Sequence, residues 1–290
     1  MRFWLLALCL HAYSLERFEE SLYPAWKQSF EVSRVNYSQK TDLCEISLFE
    51  NPVFGKVLAI DSIIQLTEAD EGVYSEMMAH VPLLSAAAPT SVLIIGGGDG
   101  AILREVLRHS AVKRAVLVEI DPKVIELTRQ FMPNLSKGAF SDPRTQVVIQ
   151  DAAEYVKKEG ETFDVIICDS TDPVGPGKVL FTSEFYGNCK KRLKKNGIFV
   201  NQNGVPFLQK EELALTLENR SPHFKHVGFY TAAIPTYVGG LMAIGWASDR
   251  DIRRLSSKKL EKSFHALGGE MKYYTPEIHK ASFALPKYMH

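Results

Sequence analysis

The run VLIIGGGDGAILREV, Val92 to Val106, decides the fold. Apolar residues, then glycines, then an amphipathic stretch describe a buried strand that turns sharply into a helix. The unit repeats downstream: RAVLVEID leads to PKVIELTRQF, TQVVIQ to AAEYVKKE, and FDVIICD to SEFYGNCKKRLKK, with GIFVNQ following as a further strand. Strands without polar alternation, separated by helices, predict an α/β protein with a parallel, doubly wound sheet. The run also holds a puzzle, because Asp99 puts a negative charge in a glycine loop of the kind that usually cradles phosphate.

Upstream the pattern changes. From Phe30 to Thr67 short apolar runs alternate with polar residues, with breaks at Asn36, Asn51-Pro52 and Asp61-Ser62. This predicts antiparallel strands in a small N-terminal β domain. EADEGVYSEMMAHVPLLSAAA has helical spacing through Val73, Met77, Met78 and Val81 and ends near Pro89, a linking helix. The expected organisation is an apolar extension over 1–17, a β domain with its helix over 18–89 and a catalytic domain over 90–290.

Whole-chain properties narrow the classes of function. The 290 residues carry 34 Lys plus Arg against 34 Asp plus Glu, with no long basic run, so a nucleic-acid footprint is missing. Cys9, Cys44, Cys168 and Cys189 lack the spacing of a metal site and read as reduced thiols, which favours the cytoplasm. The apolar stretch Phe3–Leu10 is too short to span a bilayer. With Arg2 and the Ala12-to-Ser14 segment it leaves export by a short signal as the alternative to a plain extension.

In a doubly wound sheet, ligands bind beyond the carboxyl ends of the strands. Acids stand there in turn: Asp99, then Glu119 and Asp121, Asp151, and Asp169 with Asp172. Asp121 before Pro122 and Asp151 before AAEY suit helix capping as well as binding, and both readings stay open. Glu119, about twenty residues after the glycines, stands where such sheets place an acid for ribose hydroxyls. Asp151 can accept from an adenine amine, while Gly96 and Gly98 permit close backbone approach. Asp99 disfavours pyrophosphate, so the expected ligand is a nucleoside bearing positive charge, such as S-adenosylmethionine or a relative.

The segment ICDSTDPVGPG, Ile167 to Gly177, is the most informative. Paired acids at a strand end receive cations, and one of them can take a proton from an amine; the Pro-Gly run predicts a turn or lid rather than a helix. Among such acids Gln65, Tyr74 and Tyr237 suit alkylammonium ions, by hydrogen bonding and cation–π attraction. His80, His109, His223 and His226 have no metal spacing and read as structural or solvent-facing.

Taken together, IIQLTEADEGVYSEMMAHVPL, VLIIGGGDGAILREV, VEIDPKVI, FDVIICDSTDPVGPG, LFTSEFY, IFVNQNG, AAIPTYVGG and YYTPEIHKASFALP resemble the spermidine synthases, the polyamine aminopropyltransferase family, over about residues 18 to 288. The resemblance implies a Rossmann-like, methyltransferase-type domain behind the small β domain. It implies transfer of an aminopropyl group from decarboxylated S-adenosylmethionine, a co-substrate, to putrescine, giving spermidine and methylthioadenosine. No metal and no resident cofactor is expected, and relatives form homodimers or homotetramers.

Carried over by position, Asp169 resembles the family's general base, Asp172, Tyr74 and Tyr237 its amine contacts, and Asp99 the group that holds the aminopropyl ammonium. Glu119 corresponds to the ribose acid and Asp151 with Ala152 to the adenine contacts, while Pro176 lies in the loop over the nucleoside and Gln65 and Gln202 line the cleft. Cys44 stands where bacterial relatives show glutamine, Ser75 where some have histidine or glutamine near the amine, and Ala152 where glycine is common. These departures bear on affinity and amine choice. The acceptor could equally be cadaverine, agmatine or spermidine; an amine N-methyltransferase or a non-catalytic polyamine-binding protein are the alternatives to the reaction itself.

Overall fold

The computed structural model describes residues 16–173 and 175–289, apart from the side chains of residues 175 and 176. The apolar N-terminal stretch, with Cys9 and the signal-like segment, lies outside the described residues. Strands β1 (Glu16–Glu19) and β2 (Ser29–Val32) form an antiparallel pair, and β3 (Arg34–Lys40), β4 (Glu45–Asn51), β5 (Gly55–Ile60) and β6 (Ile63–Thr67) form a meander. The turn at Asp61–Ser62 holds both residues in the left-handed region, the geometry that tight hairpins demand. Asn36, an expected break, instead lies within β3 at a register shift between Val35 and Tyr37. A bulge absorbs the irregularity without ending the strand.

Helix α1 (Glu71–Ser85) follows, then β7 (Ser91–Gly96), α2 (Ala101–Leu107), β8 (Arg114–Glu119), α3 (Pro122–Phe131), α4 (Pro133–Ser136), β9 (Thr145–Ile149), α5 (Ala152–Lys157), β10 (Phe163–Asp169), α6 (Ser183–Lys191) and β11 (Leu193–Gln202). After α7 (Lys210–Arg220), the strands β12 (His226–Ala233) and β13 (Leu241–Ser248) add an antiparallel flank, and α8 (Ser257–His265) and α9 (Pro276–Ala281) close the fold. The seven-stranded order is β12-β13-β11-β10-β7-β8-β9, with β9, β8, β7, β10 and β11 parallel.

The unbroken apolar strands are explained by two cores. Val92, Ile94, Val165, Ile167, Ile198 and Val200 face the layer of α1 and α2, while Leu93, Ile95, Ile166, Cys168 and Phe199 face α6. Each strand is buried on both sides, so its polar positions vanish. Helix α1, the expected linker, is packed into the first of these cores with Met77, Met78 and Val81 fully buried. The N-terminal meander joins the large domain through Ile46, Leu48 and Leu58, which pack with Val124, Leu127 and Met132.

Two expectations are corrected. Residues Leu193–Lys195 are the start of β11 and not the end of a helix, because Leu193 pairs with Phe163 of β10, and the excess before Ile198 pairs with Val165 is taken up by a register shift beside Asn196, whose φ is 59°. The stretch Gly175–Phe181 winds as a 3-10 helix rather than an open turn. A 3-10 turn needs few backbone donors, so an early proline does not forbid it. The histidine expectation is met in part: His80 Nδ1 lies 2.9 Å from His109 Nε2 in the buried layer beneath α1, and His223 bonds Ser183 at 2.9 Å.

Candidate active site

A cleft of about 360 Å³ opens where the carboxyl ends of β7, β8, β10 and β11 meet β4 to β6 and the irregular segment between β1 and β2. Its walls gather nearly every expected residue: Cys44, Gln65, Tyr74, Ser75, Gly96, Asp99, Glu119, Asp151, Ala152, Asp169, Asp172, Gln202 and Tyr237. Gly98 is set back, and the side chain of Pro176 lies outside the described residues. No lysine or arginine lines the cleft among the described residues. Nor, among the described residues, do three His, Cys, Asp or Glu side chains gather as a metal ion would need.

The acids divide their labour by oxygen. Asp99 Oδ1 accepts from the Ala101 N–H at 2.7 Å, Asp151 Oδ1 from the Ala153 N–H at 2.7 Å, and Glu119 Oε1 from the Asp121 N–H at 2.9 Å. Each bond satisfies a backbone donor at a helix start or turn. The second oxygen of each is then left for a ligand, so capping and binding are compatible uses of one side chain. Asp121 is more fully engaged, with Oδ1 capping α3 through Lys123 and Oδ2 facing Thr41 Oγ1 at 3.3 Å and Cys44 Sγ at 3.8 Å. Burial beside these groups pushes the Cys44 thiol up, so it stands in the cleft as a neutral group.

Two glycines owe their identity to protein neighbours. Gly96 has φ of 75°, and a Cβ there would lie 1.9 Å from the Asp169 carbonyl oxygen across the β7–β10 pair. A Cβ on Gly98 would lie 2.8 Å from Glu119 Oε2. The glycine loop therefore lets the end of β10 at Asp169 and the side chain of Glu119 each approach the backbone after β7.

At the centre of the cleft, the Tyr74 hydroxyl donates to Asp169 Oδ1 at 2.6 Å. Tyr237 meets Tyr74 edge-to-face with centroids 6.3 Å apart and donates its hydroxyl to the Gln65 carbonyl at 2.6 Å. The Tyr237 loop is anchored by Asp70, whose Oδ2 accepts from Thr236 N at 2.9 Å and Thr236 Oγ1 at 2.6 Å. Ser75 donates to Glu71 Oε2 at 3.1 Å, and Arg104 Nη2 donates to the same oxygen at 2.9 Å. Glu71 thus lies behind Asp99, and its charge joins burial in raising the Asp99 carboxyl above its ordinary range.

Several residues at the far end escaped sequence reasoning. Asp172 Oδ1 accepts from Gln209 Nε2 at 3.0 Å, and nearby stand Glu20, Tyr23 and Glu212. Burial raises the carboxyl groups of Asp172 and Glu20, and burial together with Asp172 lifts Glu212 to about 8. The only signal in the sequence was the acidity of FEESLYP and KEEL, which carries no spacing rule.

Burial and the neighbouring Asp99 charge push Asp169 up to about 8. Such a group binds its proton in the folded state while the unfolded chain, at an ordinary 3.8, has released it. Between these values the folded state holds the extra proton, so stability declines as pH rises through the window. Asp169→Asn is therefore expected to raise the melting temperature of the empty protein at pH 8 and to give a smaller gain at pH 4. Calorimetry at the two pH values checks this, and an equal shift at both would contradict the electrostatic origin.

Residues 71–257 match the spermine/spermidine synthase domain, and residues 17–68 match the spermidine synthase tetramerisation domain. Curated proteins named polyamine aminopropyltransferase from Salmonella agona and Salmonella typhimurium are each 51% identical over 272 residues, covering 93% of this chain and 95% of theirs. A solved spermidine synthase in complex with the transition-state analogue AdoDATO superposes with a TM-score of 0.88 at 41% identity, covering 94% of each chain. A solved spermidine synthase from Thermotoga maritima gives a TM-score of 0.85 at 38% identity with the same coverage.

Proposed function

The chain belongs to the spermine/spermidine synthase family, whose reaction is aminopropyl transfer, and from that premise we propose that its cleft joins decarboxylated S-adenosylmethionine to putrescine. The observation that carries the reading is a cleft whose acids spend one oxygen apiece on the backbone and whose walls, among the described residues, offer no lysine or arginine. A donor with a sulfonium and an ammonium, and an acceptor with two ammonium groups, supply the missing positive charge.

In this reading Glu119 takes the ribose hydroxyls, Asp151 and Ala152 meet the adenine, and Asp99 holds the ammonium of the aminopropyl arm. Cys44 and Gly96 line the nucleoside side. The acceptor lies along Tyr74, Tyr237 and Gln65, with Asp169 at its reacting nitrogen and Asp172 with Gln202 farther on. An alkylammonium has a reference pKa of about 10.4 and no lone pair until its proton leaves. A carboxylate raised to about 8 is far better matched to that proton than an ordinary one.

Asp169 takes one proton from the ammonium. The freed nitrogen pair attacks the methylene carbon beside sulfur, a C–N bond forms as the C–S bond breaks, and the C–S electron pair returns to sulfur. Neutral methylthioadenosine leaves, the new secondary amine stays protonated, and the proton on Asp169 passes to solvent. Holding both reactants in line supplies much of the acceleration, and acids already in place stabilise the cationic ends without reorganising.

Assembly as a homodimer or homotetramer through residues 17–68 is part of the proposal, in line with the domain matched there. A cytoplasmic location is proposed too; no helix among the described residues is long and apolar enough to cross a membrane. The decisive assay offers the protein decarboxylated S-adenosylmethionine with putrescine, cadaverine, agmatine and spermidine together and identifies products by mass spectrometry. Methylthioadenosine with spermidine is the expected pair. Methylthioadenosine with a different aminopropylated amine would replace the acceptor, and no methylthioadenosine would overturn the reading.

A further inference from the structure

Gln209 belongs to none of the motifs that mark the cleft, yet its amide joins three distant parts of the chain. Oε1 accepts from the Tyr23 hydroxyl at 2.8 Å and from the Val205 N–H at 2.7 Å. Nε2 donates to Asp172 Oδ1 and to Glu212 Oε2, each at 3.0 Å. Both acceptor sites and both donor hydrogens are thereby used. Turning the amide over would set its carbonyl against two carboxyl groups and its NH₂ against a backbone N–H. The neighbours therefore fix which end faces the acids.

That orientation has a consequence for Asp172. The loop after β10 has no regular structure to aim the side chain, and the bond from Gln209 ties Oδ1 to the chain just before α7. The rest of the carboxyl faces the cleft, where the Gln202 side chain also hydrogen-bonds it. Glu212 holds the other hydrogen of the same NH₂ and does not itself line the cleft. Tyr23 comes from the segment between β1 and β2, so the N-terminal part of the chain sets the aim of an acid in the catalytic domain.

We infer that Gln209, oriented by Tyr23, is a positioning residue for acceptor choice: by fixing Asp172 it makes the cleft select amines that carry a second ammonium group over monoamines. The inference rests on the aminopropyl-transfer reading of the cleft. Without the Gln209 bond, Asp172 keeps only the Gln202 side chain to aim it and can turn away, and the free end of a diamine loses its partner. A monoamine of the same length has no charge there and loses nothing.

The test compares kcat/KM for 1,4-diaminobutane and 1-aminobutane in wild type, Gln209→Leu and Tyr23→Phe. The diamine-to-monoamine ratio is expected to fall at least about tenfold in Gln209→Leu and a smaller amount in Tyr23→Phe, mainly through KM for the diamine. The KM for the donor and the kcat/KM for the monoamine should stay within about twofold in both. A ratio equal to that of wild type in both variants, or a parallel loss for both amines, overturns the inference. Should Gln209→Leu fail to fold, Tyr23→Phe, which removes one hydroxyl, still tests the inference through its own smaller fall in the ratio. Calorimetric binding of the two amines keeps the readings apart. A wild-type protein that binds the diamine but forms no methylthioadenosine refutes transfer, and the binding ratio in the variants then decides the role of the amide.

Discussion

Asp169→Asn is expected to lower turnover at least about a hundredfold, the loss typical of removing a positioned general base. Asparagine keeps the shape, and its carbonyl can still accept from Tyr74, whose hydroxyl lies 2.6 Å from the native Oδ1. What disappears is the ability to take the proton and the charge that orients the ammonium. Acceptor must then enter already neutral, a small fraction near pH 7 for a group with a reference pKa of about 10.4. The variant's rate should therefore keep climbing with pH into the alkaline range, whereas the wild type should level off once Asp169 has ionised. The two profiles, with a melting curve to show that the variant folds, form the test. Near-normal turnover in a folded Asp169→Asn protein would remove Asp169 from the role of base.

The acids on which that prediction rests were legible because a parallel sheet restricts where a ligand can sit. Once VLIIGGGDG and FDVIICD read as buried strands, their last residues had to point at the same edge, and Gly96 and Asp169 are in fact paired across β7 and β10. Local capping rules could not separate the two uses of Asp151, because a side chain with one oxygen on the backbone keeps the other for the proposed ligand. The far end of the cleft was hidden for a different reason. Tyr23 and Gln209 lie 186 residues apart and meet only after folding, with no periodicity linking them. The same limit concealed β12 and β13, whose pairing with β11 is antiparallel and follows no βα rhythm. Pattern also misplaced Leu193–Lys195, since a helix and an irregular strand start look alike over three residues.

Asp99→Asn should change both the choice of donor and the pH dependence, and the two effects have a single source. Asp99 caps α2 through Oδ1, so asparagine can keep that bond with its own oxygen while losing the charge. In the proposed complex that charge faces the end of the aminopropyl arm. Undecarboxylated S-adenosylmethionine would bring a carboxylate to the same place, and two like charges 4 Å apart at an effective dielectric constant of 20 repel by about 4 kcal/mol. The preference for the decarboxylated donor, as a ratio of kcat/KM values, is expected to fall at least about tenfold in the variant, together with its rate. The pH effect has a fixed sign. After burial, the Asp99 charge is the next largest cause that lifts Asp169 to about 8, so removing it lowers the Asp169 pKa. The acidic limb of kcat/KM for the amine, which reports groups in the free enzyme, should move to lower pH. An unchanged donor ratio would sink the discriminating role of Asp99, and a limb that stays in place would show that its charge is not felt at Asp169.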